Sequence, residues 1–150
     1  MIIVEASDPL APGPRTLLEA SHALMESLYA AEDNHFLDLN ELKAPNIHFF
    51  AARNGSETLG TGALAAMDGY GEVKSMFTSP AARGKGTAAA ILRQIEDTAR
   101  ELDLPLLRLE TGTGLDAAHR LYAKHGFELR GPFGDYPDSP NSIFMEKPLD

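Results

Sequence analysis

The run Glu72-Val73-Lys74-Ser75-Met76-Phe77-Thr78-Ser79-Pro80-Ala81-Ala82-Arg83-Gly84-Lys85-Gly86-Thr87-Ala88 joins a strand-like segment to a helix through a glycine-rich turn. Thr78 ends the strand-like part, Pro80 stops it, and the apolar periodicity of a helix begins beyond Gly86. Gly84 and Gly86 let a ligand approach the backbone without side-chain obstruction. The free amides and positive dipole end of a helix starting near Lys85 favour an anion, and Arg83 and Lys85 add charge. A Walker nucleotide loop is excluded, because Gly84-Lys85 is followed by Gly86 instead of Ser or Thr and no glycine stands at the required upstream spacing. The dinucleotide fingerprint fails as well: its three spaced glycines are missing, and the neighbouring strands read as antiparallel. An ordinary glycine turn before a surface helix has the same two glycines, so the surrounding chain must separate these readings.

Upstream, Ile47 to Arg53 and Glu57 to Met67 flank Asn54-Gly55, a dipeptide suited to a tight hairpin. Asp68-Gly69 offers a second turn, so three antiparallel strands joined by short turns form the expected core sheet. Ile2 to Val4 reads as a first strand, closed by Asp8-Pro9 and the Pro12-Gly13-Pro14 cluster. From Thr16, Leu17, Leu24, Met25 and Leu28 follow a helical period. Glu32 to Lys43, with Phe36, Leu37, Leu39 and Leu42, is expected to form a second, shorter helix. Downstream, Ala88 to Leu102 is strongly amphipathic, with Ile91, Leu92, Ile95 and Ala99 on one face. Leu106 to Glu110 reads as a strand and Asp116 to His125 as a helix ended by Gly126. Phe127 to Leu129 and Ile143 to Glu146 complete the strands. No repeat or interdomain linker interrupts residues 1–150, and 43% hydrophobic residues over this length suit one domain with a real core.

A net charge of −9 disfavours nucleic acid and anionic membranes as partners. The charge is unevenly placed. Residues 1–73 hold three cations against eleven acids, residues 74–130 nine against seven, and residues 131–150 one against four. The glycine turn therefore lies in the one locally cationic stretch, although solvated helix faces produce the same count. Cysteine is absent, which excludes disulfides and a thiol nucleophile and suits a reducing cytoplasm. The first nine residues lack the basic flank and long apolar region of a signal peptide, and no apolar stretch approaches membrane-spanning length. The five histidines show no metal-binding spacing, so no metal is expected. His35 stands apart because of its place in the chain, in the segment Glu32-Asp33-Asn34-His35-Phe36-Leu37-Asp38 that follows the first expected helix.

Arg83-x-x-Gly86-x-Ala88, following Pro80 and a strand, resembles the acyl-CoA pyrophosphate loop of the GNAT superfamily of N-acetyltransferases. Ala118-x-x-Leu121-Tyr122-x-Lys124-x-Gly126-Phe127 looks like the second hallmark of the same family, at the usual distance. The element order matches from 1 to 150. The resemblance implies an α+β fold: a mixed, mainly antiparallel sheet with helices on both faces, opened between the strands ending at Thr78 and beginning at Leu106. It also implies acetyl-CoA as cosubstrate and direct transfer of acetyl to a primary amine of a small molecule or peptide. A noncatalytic acyl-CoA-binding regulatory domain is the alternative. Dimers are common in the family, and nothing in the sequence identifies an interface.

By that resemblance, the backbone of Met76, Phe77 and Thr78 orients the thioester arm. The amides of Arg83, Gly84, Lys85, Gly86, Thr87 and Ala88 hold the pyrophosphate. Tyr122 matches the tyrosine that protonates the departing thiolate, and Glu110 matches a glutamate used as general base. Glu72 competes for that role, since other branches draw the base from its strand. An amine attacking a thioester needs such a base, and partial burial of a carboxylate raises its pKa toward neutrality. Bland roles remain beside these: a packed core tyrosine for Tyr122, and an ion-pair partner of Arg108 or Lys74 for Glu110. The family often places Asn seven residues before the tyrosine, where this chain has Leu115; Thr111 or Thr113 is left to supply that hydrogen bond. The segment 32–38 lies where family members build the acceptor pocket, and the loop Gly131–Pro137 has the composition of a rigid substrate lip.

Overall fold

The computed structural model describes residues 1–150. Its strands are β1 (Ile3–Ala6), β2 (Ile47–Asn54), β3 (Glu57–Ala66), β4 (Gly71–Thr78), β5 (Leu106–Gly112), β6 (Glu128–Arg130) and β7 (Ser142–Pro148). Its helices are α1 (Pro12–Leu28), α2 (Thr87–Glu101) and α3 (Asp116–Lys124). The strands form one seven-stranded sheet in the order β1-β2-β3-β4-β5-β7-β6. Every neighbouring pair is antiparallel except β4 and β5. The Asn54-Gly55 hairpin forms as expected, with Gly55 at φ 61°.

Alternation along the strands divides the core between two faces. Phe49 and Ala63 join Leu18 of α1 and Leu42. Phe50, Leu64, Val73, Leu107 and Leu109 point the other way, onto Ile91, Leu92, Ile95 and Ala99 of α2 and Tyr122 of α3. Helices therefore cover both faces, as the family resemblance implies. Helix α2 sits close because β3 is bare beneath it: a Cβ on Gly62 would lie 2.4 Å from Ile91 Cγ2. Beyond β4, the α1 face is covered by the 131–141 loop instead of a helix. There the buried Phe133 packs edge-on against Tyr70, Tyr136 and Phe144.

Two sequence expectations need correction. Residues 32–43 form no helix; the chain makes single 3-10 turns at Ala31–Asp33 and Glu41–Lys43 with extended residues between. Polar side chains there satisfy the backbone in place of a helical ladder. Asp38 Oδ1 accepts the Glu41 amide at 2.7 Å, Glu41 Oε1 accepts the Asp38 amide at 2.9 Å, and the His35 carbonyl accepts Lys74 Nζ at 3.1 Å. Helix α1 begins at Pro12, earlier than Thr16, with prolines in its first turn where no amide partner is lost. Smaller differences of one or two residues occur at the ends of the strands and of α2 and α3.

The parallel contact between β4 and β5 is confined to Gly71 opposite Leu107 and Glu72 opposite Arg108. Beyond it the strands diverge. A bulge in β4 accompanies the split: Thr61 pairs with Phe77 and Ala63 with Lys74, so Ser75 and Met76 together face Gly62. Ser75 takes the left-handed φ of 57°, and the buried Thr61 hydroxyl donates to its carbonyl at 2.9 Å.

Candidate active site

The divergence of β4 and β5 opens a cleft between the two sheet halves. Its walls are Lys74, Ser75 and Met76 from β4, Glu110, Thr111 and Gly112 from β5, and Ala118 and Tyr122 from α3. Met25 of α1, Tyr29 just after that helix and the segment 33–36 close the remaining side. Strand β5 pairs with β7 along its whole length but with β4 only at its start. The β4 edge beyond Glu72 and the β5 edge beyond Arg108 thus face each other across the gap without a strand partner.

Glu110 and Tyr122 share this cleft. Glu110 makes no ion pair: Arg108 pairs with Glu146 at 2.7 Å, and Lys74 with Glu72 at 3.3 Å. Its Oε2 accepts Ser142 Oγ at 2.8 Å. Burial raises the Glu110 pKa above the usual carboxylate range, against the opposing effects of the Ser142 hydrogen bond and the charges of His35 and Lys74. Tyr122 is buried against Phe127, and burial pushes its phenol well above the ordinary value. It stays protonated near neutral pH, so it can give up a proton but cannot serve as a base.

Glu72 is placed elsewhere. Its carboxylate accepts the Tyr136 hydroxyl and faces Lys74 Nζ, while Lys74 also donates to Tyr136 Oη at 2.6 Å. Glu72 lines a second cleft with Leu37, Asn46 and Met67, and Lys74 stands in the wall between the two. Phe77 and Thr78 pair with Thr61 and Gly60 of β3 and take no part in the walls of the first cleft.

Arg83, Gly84, Lys85 and Gly86 lie exposed beyond the end of β4, and Thr87 and Ala88 begin α2. Gly84 and Gly86 have φ of 77° and 82°, a conformation that other residues resist. The amides from Gly84 to Ala89 have no acceptor within the protein, the first helical bond being Ala90 to the Gly86 carbonyl at 3.0 Å. The buried Thr87 Oγ1 is likewise without a partner. Free amides at a helix start, with an orphaned hydroxyl beside them, fit a phosphate group. No three His, Asp or Glu side chains converge as a metal cluster.

The model of the acetyltransferase (GNAT) family matches residues 16–127. The chain belongs to this family. It is 44% identical over 150 residues to an IAA acetyltransferase of Azospirillum brasilense, with 99% of this chain and 98% of the relative covered. It is 37% identical over 152 residues to the uncharacterized N-acetyltransferase YedL of Escherichia coli K12, covering 99% and 96%. A solved structure from Klebsiella pneumoniae, described as an acyl-CoA N-acyltransferase, superposes with TM-score 0.87 at 33% identity over 100% of this chain and 99% of that one. The PaiA N-acetyltransferase of Thermoplasma acidophilum, solved with coenzyme A, has TM-score 0.76 over 99% of each chain; at 15% identity this likeness is one of fold.

As a GNAT acyltransferase, the chain is an enzyme, and the split between β4 and β5 is the opening the family resemblance implies. Of the residues singled out in the sequence, the structure brings Glu110, Tyr122 and Met76 into one cleft and leaves Glu72, Phe77, Thr78 and the glycine loop outside its walls. Leu115 and Thr111 both line the cleft, while Thr113 contributes its carbonyl as acceptor for Tyr29 Oη at 2.5 Å. Sequence reading missed Ser75, Tyr29 and Asn141. Ser75 carried no signal because a bulge is visible only in strand register, and the other two reach the cleft from just after α1 and just before β7.

Proposed function

We propose that this chain transfers the acetyl group of acetyl-CoA directly to a primary amine of a small molecule or peptide. The reading rests on the placement of Glu110 and Tyr122 in one cleft, a partly buried carboxylate and a buried, protonated phenol. Acetyl-CoA supplies an activated acyl group and a thiolate leaving group. Glu110 takes a proton from the entering ammonium, and its raised pKa matches it to that task near neutral pH. Tyr122 donates its hydroxyl proton toward the departing sulfur. Amides on the β4 edge near Ser75 and Met76 are candidates to hold the carbonyl oxygen as negative charge develops. The amides from Arg83 to Ala88 would bind the pyrophosphate, assisted by Arg83 and Lys85. The overall change converts ammonium and thioester into amide, thiol and one released proton. Transfer is direct, with no cysteine available to carry an acyl group, and a reducing cytoplasm suits such a chain.

The acceptor is cationic in this reading, because residues 1–73 carry a balance of −8 and build the α1 side of the cleft. Thiol release from acetyl-CoA over a panel of primary amines, with CoA affinity measured by titration calorimetry, tests the proposal. Turnover with cationic amines is expected. CoA binding without release of thiol for any amine would overturn it in favour of a binding domain.

A further inference from the structure

The acceptor side of the cleft is built largely from chain without regular structure. Asn34, His35 and Phe36 line it from the stretch between the two 3-10 turns, and Asn141 lines it from the loop before β7. Neither piece belongs to the sheet, and the β4 edge beyond Glu72 has no strand partner toward β5. No strand ladder therefore fixes this wall. Its position depends on the side chains that tie it to the rigid part of the fold.

Lys74 supplies the tie to β4. Its side chain is only 12% exposed. Nζ donates to the His35 carbonyl at 3.1 Å and to Tyr136 Oη at 2.6 Å, and it faces Glu72 Oε2 at 3.3 Å. Three N–H donors thus meet three acceptors from three pieces of chain: the 33–36 segment, the 131–141 loop and β4 itself. The Tyr136 hydroxyl in turn donates to Glu72, which closes the cluster. The two loops are also joined to each other. The rings of His35 and Tyr136 sit edge-on with centroids 5.2 Å apart, and Asp33 accepts Ser139 Oγ at 2.8 Å and Asn141 Nδ2 at 3.0 Å. An ion pair that merely neutralised Glu72 would need no main-chain acceptor. Lys74 nevertheless reaches the His35 carbonyl, and no other donor of the protein does.

We propose that Lys74 is a positioning residue for the acceptor: it holds residues 33–36 and the Tyr136 loop against β4 and so sets the width of the acceptor side of the cleft. The inference rests on the amine acceptor proposed above. In this role Lys74 touches no reacting atom. Its charge by itself repels a cationic acceptor, and the adjacent Glu72 offsets that repulsion. Replacing Lys74 by a neutral side chain therefore separates two effects by sign. Relief of repulsion lowers KM for a cationic amine, whereas a loosened wall raises it.

The test uses the full chain with Lys74→Met and with the double variant Glu72→Gln/Lys74→Met. The double variant keeps the local charge balance of the parent and leaves no buried carboxylate unpaired. Thiol release over cationic primary amines gives kcat and KM, calorimetry gives CoA affinity, and NMR relaxation gives backbone amide order parameters. In the double variant KM for the amine should rise about fivefold or more, with kcat within about threefold and CoA affinity within about twofold of the parent protein. Order parameters of residues 34–37 should fall from the rigid value of about 0.85 to below about 0.6. Lys74→Met alone should raise KM as well, against its electrostatic effect; if it fails to fold, the double variant decides. A KM within about twofold of the parent in the double variant, a fall in kcat at unchanged KM, or unchanged order parameters overturns the role of Lys74 and leaves the acetyltransferase reading intact. A parent protein that binds CoA and acetylates no amine overturns both proposals.

Discussion

Glu110 and Glu72 carry the same carboxyl group on adjacent strands, and their surroundings give them opposite consequences on substitution. Glu110 is partly buried beside one neutral donor, so its ionised form is poorly compensated. Folding raises its pKa, and the stabilising contribution is complete below the unfolded carboxylate value of about 4 and is lost as pH rises through the folded one. Glu110→Gln should therefore melt at the same temperature as the parent in acid and at a higher one near neutral pH, read by calorimetry across that range. The same variant should lose about 10²–10⁴-fold in kcat/KM, and with it the rise in rate with pH that the raised Glu110 pKa imposes. Glu72→Gln should do the reverse, costing roughly 1–3 kcal/mol of stability by unpairing Lys74 and weakening the Tyr136 contact, while the pH profile keeps its acid limb. A lost acid limb in the Glu72 variant alone would move the base to β4. Tyr122→Phe removes one proton donor and little packing. It should reduce kcat about tenfold or more with CoA affinity within about twofold, measured by stopped-assay kinetics and calorimetry; an unchanged kcat would leave Tyr122 a packing residue.

At the scale of elements, the glycine turn and the β4 bulge act through backbone conformation. Gly86 caps α2 at φ 82°, so any larger residue is strained by roughly 1 kcal/mol before its side chain meets a ligand. Gly86→Glu adds a negative charge where the free amides point and should weaken CoA binding about 100-fold or more in calorimetry; Gly86→Ala, which bears only the strain, should lose much less. Retained affinity in the Glu variant would detach the turn from the cofactor. The elements were legible to different degrees for physical reasons. Helix α2 could be read because Ile91, Leu92, Ile95 and Ala99 are all buried at helical spacing and nothing local competes. Residues 32–43 could not, because Asp38, Glu41 and the Lys74 bond to His35 spend the backbone groups a helix would need. The prolines at 12 and 14 read as a stop and proved to be the first turn of α1, since both meanings share one local conformation.

Across the whole molecule, charge is partitioned. Arg83 and Lys85 lie in the glycine turn and Arg93 in α2, while eight of the eleven acids of residues 1–73 precede residue 42, in β1, α1 and the turns that follow them. Long-range attraction should then raise the association rate of a cationic acceptor. Raising ionic strength from about 0.01 to 0.5 M should lower kcat/KM for a cationic amine several-fold and leave that of a neutral one nearly flat. Equal salt dependence for both would show that the charge balance plays no part in recognition. No helix of the structure is long and apolar enough to cross a membrane. The sequence by itself determined most strands and helices, and carried two motifs that resemble the family; through that resemblance came the mixed sheet with helices on both faces, the position of the splay and three residues of the cleft, Met76, Glu110 and Tyr122. The elements follow from periodicity and turn chemistry, which act over a few neighbouring residues. Which carboxylate stands in the cleft, how the 131–141 loop and residues 33–36 are joined across it, and where Lys74 holds the His35 carbonyl depend on contacts between segments far apart in the chain. Asp33 and Asn141 or Glu72 and Tyr136 meet only after the sheet has formed, and a linear pattern holds no record of such a meeting.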